Sequence, residues 1–269
     1  MGALQIFTEG RFIEIPLDLL RELPRRLRDA DYQVDCLLIE DRGHWVLTHV
    51  VAAAAEALEA PLAGLAVDLG TTRIAARLVD LRSGETLAET AEDNPQIEVG
   101  PDVLVRIHHS QKAGGRDELQ RLAAQGINRA VEVLCTQANL TSDAIALMTV
   151  AGNTAMTHLL LGLEARWLIR EPYIPAANQP GMIRARDLGI DIHDRARTLV
   201  FPNVGSYFGG DLVAGILFAD LHRREETAIL VDVGTNAVVV LGNGDWMIAC
   251  AGAAGPALEG GMSRMGMMA

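Results

Sequence analysis

Cysteine is scarce and scattered in this sequence: Cys36, Cys135 and Cys250 are the only three in 269 residues. They stand too far apart for a disulfide framework or for the close ligand spacing of a zinc or iron–sulfur site. They read as small apolar fillers in a reducing compartment. No basic segment followed by an apolar stretch opens the chain, and no apolar run approaches the about 20 residues that a membrane span needs. The expectation is a cytoplasmic protein that makes no membrane contact. Basic clusters are lacking as well. With 23 Lys and Arg against 35 Asp and Glu, the formal net charge of −12 argues against sequence-independent binding to nucleic acid or anionic lipid. Also missing are a P-loop, Gly-x4-Gly-Lys-Ser/Thr, and a dinucleotide glycine fingerprint after a strand. Two common phosphate-binding folds therefore lose their sequence support.

What is present is apolar content, 49% hydrophobic, enough for one or two sizeable cores. Residues 1–60 read as a small α+β unit, with Ile6 to Ile15 strand-like and Leu17 to Asp29 helical with a kink or restart at Pro24. Tyr32 to Ile39 and Trp45 to Val51 read as antiparallel strands about Asp41-Arg42-Gly43, followed by an alanine-rich connection, Ala52 to Ala60. From Leu65 the pattern changes: an apolar approach ends at Asp68-Leu69-Gly70-Thr71-Thr72 and resumes as a strand to Asp80, turning at Arg82-Ser83-Gly84. Asp117 to Thr136 has helical spacing with Gly126 as a weak point. Ile145 to Val150 reads as a buried strand running into Gly152-Asn153-Thr154 and then an apolar helix, Ala155 to Leu161. Gly209-Gly210-Asp211 starts a helix from Leu212 to Arg223, with Asp211 the natural N-cap.

The informative feature is an echo. Ile229 to Asn236 repeats the apolar strand, the Asp-x-Gly-Thr turn and the returning strand, Ala237 to Leu241, with a hairpin turn at Gly242-Asn243-Gly244. One copy is only a strand ending in a hairpin, but two copies a whole lobe apart, at residues 68 and 232, suggest two lobes related by duplication. A triphosphate with its metal needs close backbone amides, hydroxyls that bond phosphate oxygen, and a carboxylate that holds Mg2+ or its waters. Gly70, Thr71 and Thr72 offer the first two, as do Gly234, Thr235 and Asn236. Asp68 and Asp232 offer the carboxylates, at the ends of strands where burial is costly unless a cation or hydrogen bonds satisfy it. Gly152, Asn153 and Thr154 are a helix cap or an anion site. Asp211 is a cap, a metal-water ligand or a base, and the loop from Gly255-Pro256 to Glu259-Gly260-Gly261 is a surface turn or phosphate-facing. His108, His109 and His158 lack partners at metal-ligand spacing and read as solvated or core histidines. Met262, Met265, Met267 and Met268 read as packing.

Several blocks in order resemble one family. Leu65 to Thr72, Asn94-Pro95-Gln96 with Gly100, Asp102 and Arg106-Ile107, and Ala151 to Gly162 are followed by Pro172 to Pro175 and Phe201-Pro202-Asn203. Gly209 to Ile216, Asp232 to Asn236, Leu241-Gly242-Asn243 with Asp245-Trp246, and Ala254-Gly255-Pro256 with Glu259 to Gly261 complete the series. Together they resemble the ATP-dependent reductive activators of corrinoid proteins, from about residue 61 to the end. Residues 1–60 more weakly resemble the small middle domain of those proteins. The resemblance implies an α/β fold of the actin, sugar-kinase and heat-shock-chaperone (ASKHA, RNase H-like) type. Its first lobe would span residues 61–225, and residues 226–269 would begin the second.

It also implies a function, in which an iron–sulfur domain gives one electron to Co(II) corrinoid and ATP drives the uphill step that regenerates Co(I). By carry-over, residues 68–72 and 232–236 would be the two phosphate loops, and Asp211 a Mg2+-water residue. The family's ferredoxin-like segment is absent, so the electron is expected from a separate ferredoxin-like donor, with no iron–sulfur cluster in this chain. Ala237-Val238 stands where the family usually has Gly-Glu, so no acidic role is carried over there. Two other readings stay open: a small-molecule kinase of the same superfold with Asp211 as base, and a non-catalytic interaction fragment. Because the text stops soon after the second hairpin, the sequence reads as a fragment whose unpaired apolar edges invite dimerisation. The expected consequence is weak binding of ATP–Mg2+ by the 269 residues and firm binding once the second lobe is complete. Calorimetry showing tight binding by the short chain would contradict this.

Overall fold

The computed structural model describes residues 10–53, 62–233 and 236–253. The first unit is a three-stranded sheet under one helix: β1 (Ile13–Glu14), α1 (Leu17–Asp29), β2 (Val34–Asp41) and β3 (His44–Ala52). The strands run in the order β1-β3-β2, with β2 antiparallel and β1 parallel to β3. The expected strand from Ile6 shrinks to two residues among those described, and residues 6–9 and the connection at 54–60 lie outside them. Nor does α1 restart at Pro24. It continues through the proline as one element, held by Leu19 packing with Leu47 and Val50, because tertiary burial of an apolar stripe outweighs one missing backbone donor.

The body is a six-stranded sheet of β4 (Ala63–Leu69), β5 (Arg73–Asp80), β6 (Thr86–Asp93), β7 (Ile145–Gly152), β8 (Gly181–Arg184) and β9 (Arg197–Val200). Its order is β6-β5-β4-β7-β9-β8; β4, β7 and β9 are mutually parallel and the other pairs antiparallel. Between β6 and β7 the chain crosses over through α2 (Val103–Ser110) and α3 (Gly115–Ala138), and α3 lies on β5 and β6. Side chains alternate faces along a strand. Leu65, Val67 and Leu69 of β4 and Ile74 and Leu78 of β5 thus join Ile127 of α3 in the main core, while Ala66, Asp68, Ala75 and Arg77 point to the open face. Gly126 is a contact point and not a weak one. A Cβ there would lie 2.5 Å from Ile74 Cδ1 and 2.8 Å from Pro95 Cδ, so glycine lets the helix approach the sheet closely.

After β7 come α4 (Thr154–Leu160), the short strands β8 and β9, α5 (Gly210–Phe218), and a second sheet of β10 (Ala228–Val233), β11 (Asn236–Gly242) and β12 (Met247–Ala253). This sheet is an antiparallel meander in sequence order. The predicted helix to Arg223 stops at Phe218, because Asp220 adopts a left-handed conformation and only a 3-10 turn, Leu221–Arg223, follows. One side of the second sheet meets α5 through a small cluster with Leu212, Leu221 and Val240. Ile229, Val231, Val233 and Ile248 remain exposed. Of the cysteines only Cys135 is fully buried; Cys250 is exposed and Cys36 intermediate, so the filler reading holds for one of them.

Ion pairs tie the first unit to the body. Arg195 reaches Asp18 at 2.9 Å and Glu22 at 3.1 Å, Arg197 reaches Glu14 at 3.4 Å, and the His49 and His193 rings lie 3.7 Å apart between centroids. The packing around Gly126 yields a direct test. Alanine normally favours a helix over glycine by up to about 1 kcal/mol, but here overpacking should win and Gly126→Ala should destabilise by about 1–3 kcal/mol. Chemical denaturation checks this, and a variant as stable as the parent would refute the close approach.

Candidate functional site

The turn from β4 to β5 carries Gly70, Thr71 and Thr72 at the end of the best-buried part of the sheet. Two asparagines hold it. Asn94, at the end of β6, donates from Nδ2 to the Gly70 carbonyl at 2.8 Å and from its backbone N–H to the Thr72 carbonyl at 2.8 Å. From the other side Asn153 donates from Nδ2 to Thr71 Oγ1 at 3.1 Å, while its Oδ1 accepts from Met156 N–H and so caps α4. The turn at Gly209 closes on the same place. A Cβ on Gly209 would lie 2.4 Å from Asn153 Cα, so the start of α5 abuts the start of α4 because that residue is glycine.

Asp68 ends a buried strand, as its apolar approach had suggested, but its own side chain faces the open side. It shares the open face with Ala66, and its strand-to-strand partners are Ala75 on β5 and Ala151 on β7. Two methyl groups flank the carboxylate and leave room above it. Asp211 is not the N-cap. Gly209 takes that position, and Asp211 lies in the first turn, its Oδ1 accepting from Leu212 N–H at 2.7 Å. Asp232 comes from the last turn of β10 and is exposed.

These three carboxylates sense one another. Asp68 reaches water, yet protein surrounds it on most sides; that desolvation first, and the charges of Asp211 and Asp232 second, push its pKa up to about 6. Burial, then the charge of Asp232, also raises Asp211. Among the described residues no three His, Cys, Asp or Glu side chains converge as direct metal ligands.

Of the remaining sequence candidates, Gly152 and Asn153 stand beside the first turn, whereas Thr154 is buried with its hydroxyl donated to the Gly205 carbonyl at 2.9 Å. Gly234 and Thr235, the side chain of Asn236, residues 255–261 and the methionines from Met262 onward lie outside the described residues. His158 is a core histidine, with Nδ1 2.7 Å from the Thr154 carbonyl, and His109 meets Glu118 at 2.8 Å. Motif reading gave no role to Asn94, Gln96 and Arg106. Their sequence signal was an Asn-Pro pair after a strand, which marks a turn but not what the turn holds.

Between the ordinary carboxyl value of 3.8 and about 6, the folded chain keeps the Asp68 proton that an unfolded chain gives up. Asp68 therefore opposes folding increasingly as pH rises through that window, by an amount that water in the cleft reduces. In a carboxyl-carbon NMR titration Asp68 should turn over near 6, and Asp211→Asn should lower its midpoint. A midpoint at 3.8 in the parent would refute the clustering.

Residues 63–224 match the family profile described as the RACo middle region, and residues 226–269 match the C-terminal domain of RACo, the ASKHA domain. The step between the two profiles falls where the six-stranded sheet gives way to the three-stranded one. Among curated proteins, the corrinoid activation enzyme RamQ of Eubacterium limosum is 28% identical over 93% of this chain and 44% of its own length. The [Co(II) methylated amine-specific corrinoid protein] reductase of Methanosarcina barkeri is 26% identical over 77% of this chain and 39% of its own. A solved structure, a reductive activator for a corrinoid, iron–sulfur protein, superposes with a TM-score of 0.90 and 33% identity over 99% of this chain and 42% of that one. The chain thus spans less than half the length of these relatives. A family profile over more than half of its residues, together with a full-length structural match, places this α/β chain in the RACo family of corrinoid-protein reductive activators.

Proposed function

We propose that this chain is the ATP-binding and Mg2+-binding module of a reductive activator that helps return a Co(II) corrinoid protein to Co(I). The observation that carries the reading is the meeting of Asp68, Asp211 and Asp232 on the open face beside a turn of Gly70, Thr71 and Thr72. The raised proton affinities of Asp68 and Asp211, to which the charge of Asp232 contributes, favour a cation that offsets the negative charge. The names of the relatives, which concern corrinoid activation and Co(II) corrinoid-protein reduction, support the choice of reaction.

In this reading Asp68 and Asp232 hold Mg2+ through its waters and Asp211 orients one of those waters. The hydroxyls and amides of residues 70–72 grip phosphate oxygens with Gly152 and Asn153 beside them, the buried Thr154 serves packing only, and Gly234, Thr235 and Asn236 are the second phosphate loop. ATP supplies the free energy, and one electron passes from a ferredoxin-like donor to Co(II), giving Co(I). The cysteines Cys36, Cys135 and Cys250 are too dispersed to be that donor. The module works in the cytoplasm with a corrinoid protein as partner. No helix among the described residues is long and apolar enough to cross a membrane.

Mg2+ competes with the Asp68 proton, so nucleotide binding should strengthen as pH rises through about 6. Amide NMR at millimolar Mg2+–ATP is sensitive to weak binding. Shifts are expected at Gly70 to Thr72, Asn153 and Asp211, and Asp68→Asn should reduce affinity about tenfold or more and remove the pH dependence. Nucleotide that shifts none of these residues, or the same affinity in Asp68→Asn, would reject the proposal.

A further inference from the structure

Arg106 is a fully buried guanidinium in the main body of the fold, and its hydrogen bonds go to neutral groups. Nε donates to the Gly100 carbonyl at 2.8 Å, and Nη1 lies 3.2 Å from Gln96 Oε1 and 3.4 Å from Met156 Sδ. Among the described residues Nη2, which is buried, has no hydrogen-bond partner. Burial lowers its pKa to about 10, so the group still carries charge at neutral pH. A buried charge is costly, and apolar residues of similar volume would often stabilise such a position better. Its arrangement therefore calls for an account beyond packing.

The account lies in what Arg106 touches. Gln96, also fully buried, donates from Nε2 to the Leu119 carbonyl of α3 at 2.8 Å and from its backbone N–H to Asn94 Oδ1 at 3.0 Å. Asn94, buried as completely, then holds the carbonyls of Gly70 and Thr72. Arg106 also contacts Met156, whose own N–H is capped by the Asn153 that clasps Thr71. Capping the Pro95–Glu98 turn needs only Asn94 Oδ1. The Nδ2 bond to Gly70 is additional, and it has a geometric consequence. In a planar trans peptide the N–H points opposite to the C=O, so drawing the Gly70 carbonyl inward turns the Thr71 N–H outward.

We propose that Arg106, Gln96 and Asn94 are positioning residues, forming a relay that sets the peptide planes of the 70–72 turn from inside the fold and presents the Thr71 amide to an anionic ligand. The ligand half of this inference rests on the nucleotide reading above; the relay half does not.

NMR on the ligand-free full chain separates them. In the parent, the Asn94 carboxamide proton should exchange slowly with solvent and show a through-bond coupling to the Gly70 carbonyl; absence of both overturns the relay. In Arg106→Lys, which does not touch the turn, the Gly70 carbonyl and Thr71 amide resonances should nevertheless move. Gln96→Glu gives the same readout if the lysine variant does not fold. Unmoved resonances in whichever variant folds would overturn the proposal, and the parent coupling still decides if neither does. Asn94→Asp keeps the cap but loses the donor near neutral pH, so Mg2+–ATP binding should weaken about tenfold. Acidification should return the Gly70 resonance toward its parent position as the carboxyl regains a proton to donate, and a resonance indifferent to pH would count against the relay. Nucleotide shifts in the parent with an unmoved Gly70 in Arg106→Lys would sink the relay and leave the function standing; the coupling without nucleotide shifts would do the reverse.

Discussion

Like charge gathered in one place is the constraint on which the rest of this molecule turns. Asp68, Asp211 and Asp232 come from three different elements, and the charges of Asp211 and Asp232 add to burial in raising the proton affinity of Asp68. Such a grouping is unfavourable by itself, so the fold must hold it by means unrelated to the charges. It does so with the strands beneath. β4, β7 and the hairpin to β5 are pinned by a continuous apolar core under α3, and that core fixes the open face on which Asp68 stands.

Period-two alternation decides which residues meet there. Leu65, Val67 and Leu69 go to the core and Ala66 and Asp68 to the cleft, while Ala75 and Ala151 keep the space on either side of the carboxylate clear. The turn that follows is not left to its own residues. Asn94 and Asn153 grip it from opposite sides, and the buried chain through Gln96 to Arg106 links one grip to the helix that carries the other. Openness on one face thus depends on closure on the other.

The ends of strands and the repeat of Asp-x-Gly-Thr were legible in the sequence because they depend on local pattern: an apolar run, a turn residue, a second run. β4, β5 and β7 of the body fall within a few residues of that reading, whereas the short strands β8 and β9 were not read at all. What failed were inferences that depend on partners distant in sequence. The face that Asp68 takes could not be read from Leu65, Ala66 and Val67, all apolar, and register against Ala75 and Ala151 decided it. Asp211 looked like a cap because caps are commonly aspartate, but the cap falls two residues earlier, at Gly209, where close packing on Asn153 requires glycine. Gly126 looked weak for the same reason in reverse, since helix propensity knows nothing of Pro95 across the interface. The polar chain behind the turn was invisible because buried Asn, Gln and Arg residues take their meaning only from one another.

The acidic group also spans two cores of unequal size. Asp68 stands on the large core, whereas Asp232 ends a strand of the three-stranded sheet, whose buried cluster comprises Leu212, Leu221 and Val240. Among the described residues the smaller sheet therefore has much less buried apolar support than the larger one. A ligand that engages carboxylates from both must pay, out of its contact energy, for holding the two sheets in a fixed relation. α5 packs against both β7 and β10, so a movement of the smaller sheet toward the cleft passes through the same helix that bears Asp211. That helix thus links the sheet that bears Asp68 to the sheet that bears Asp232.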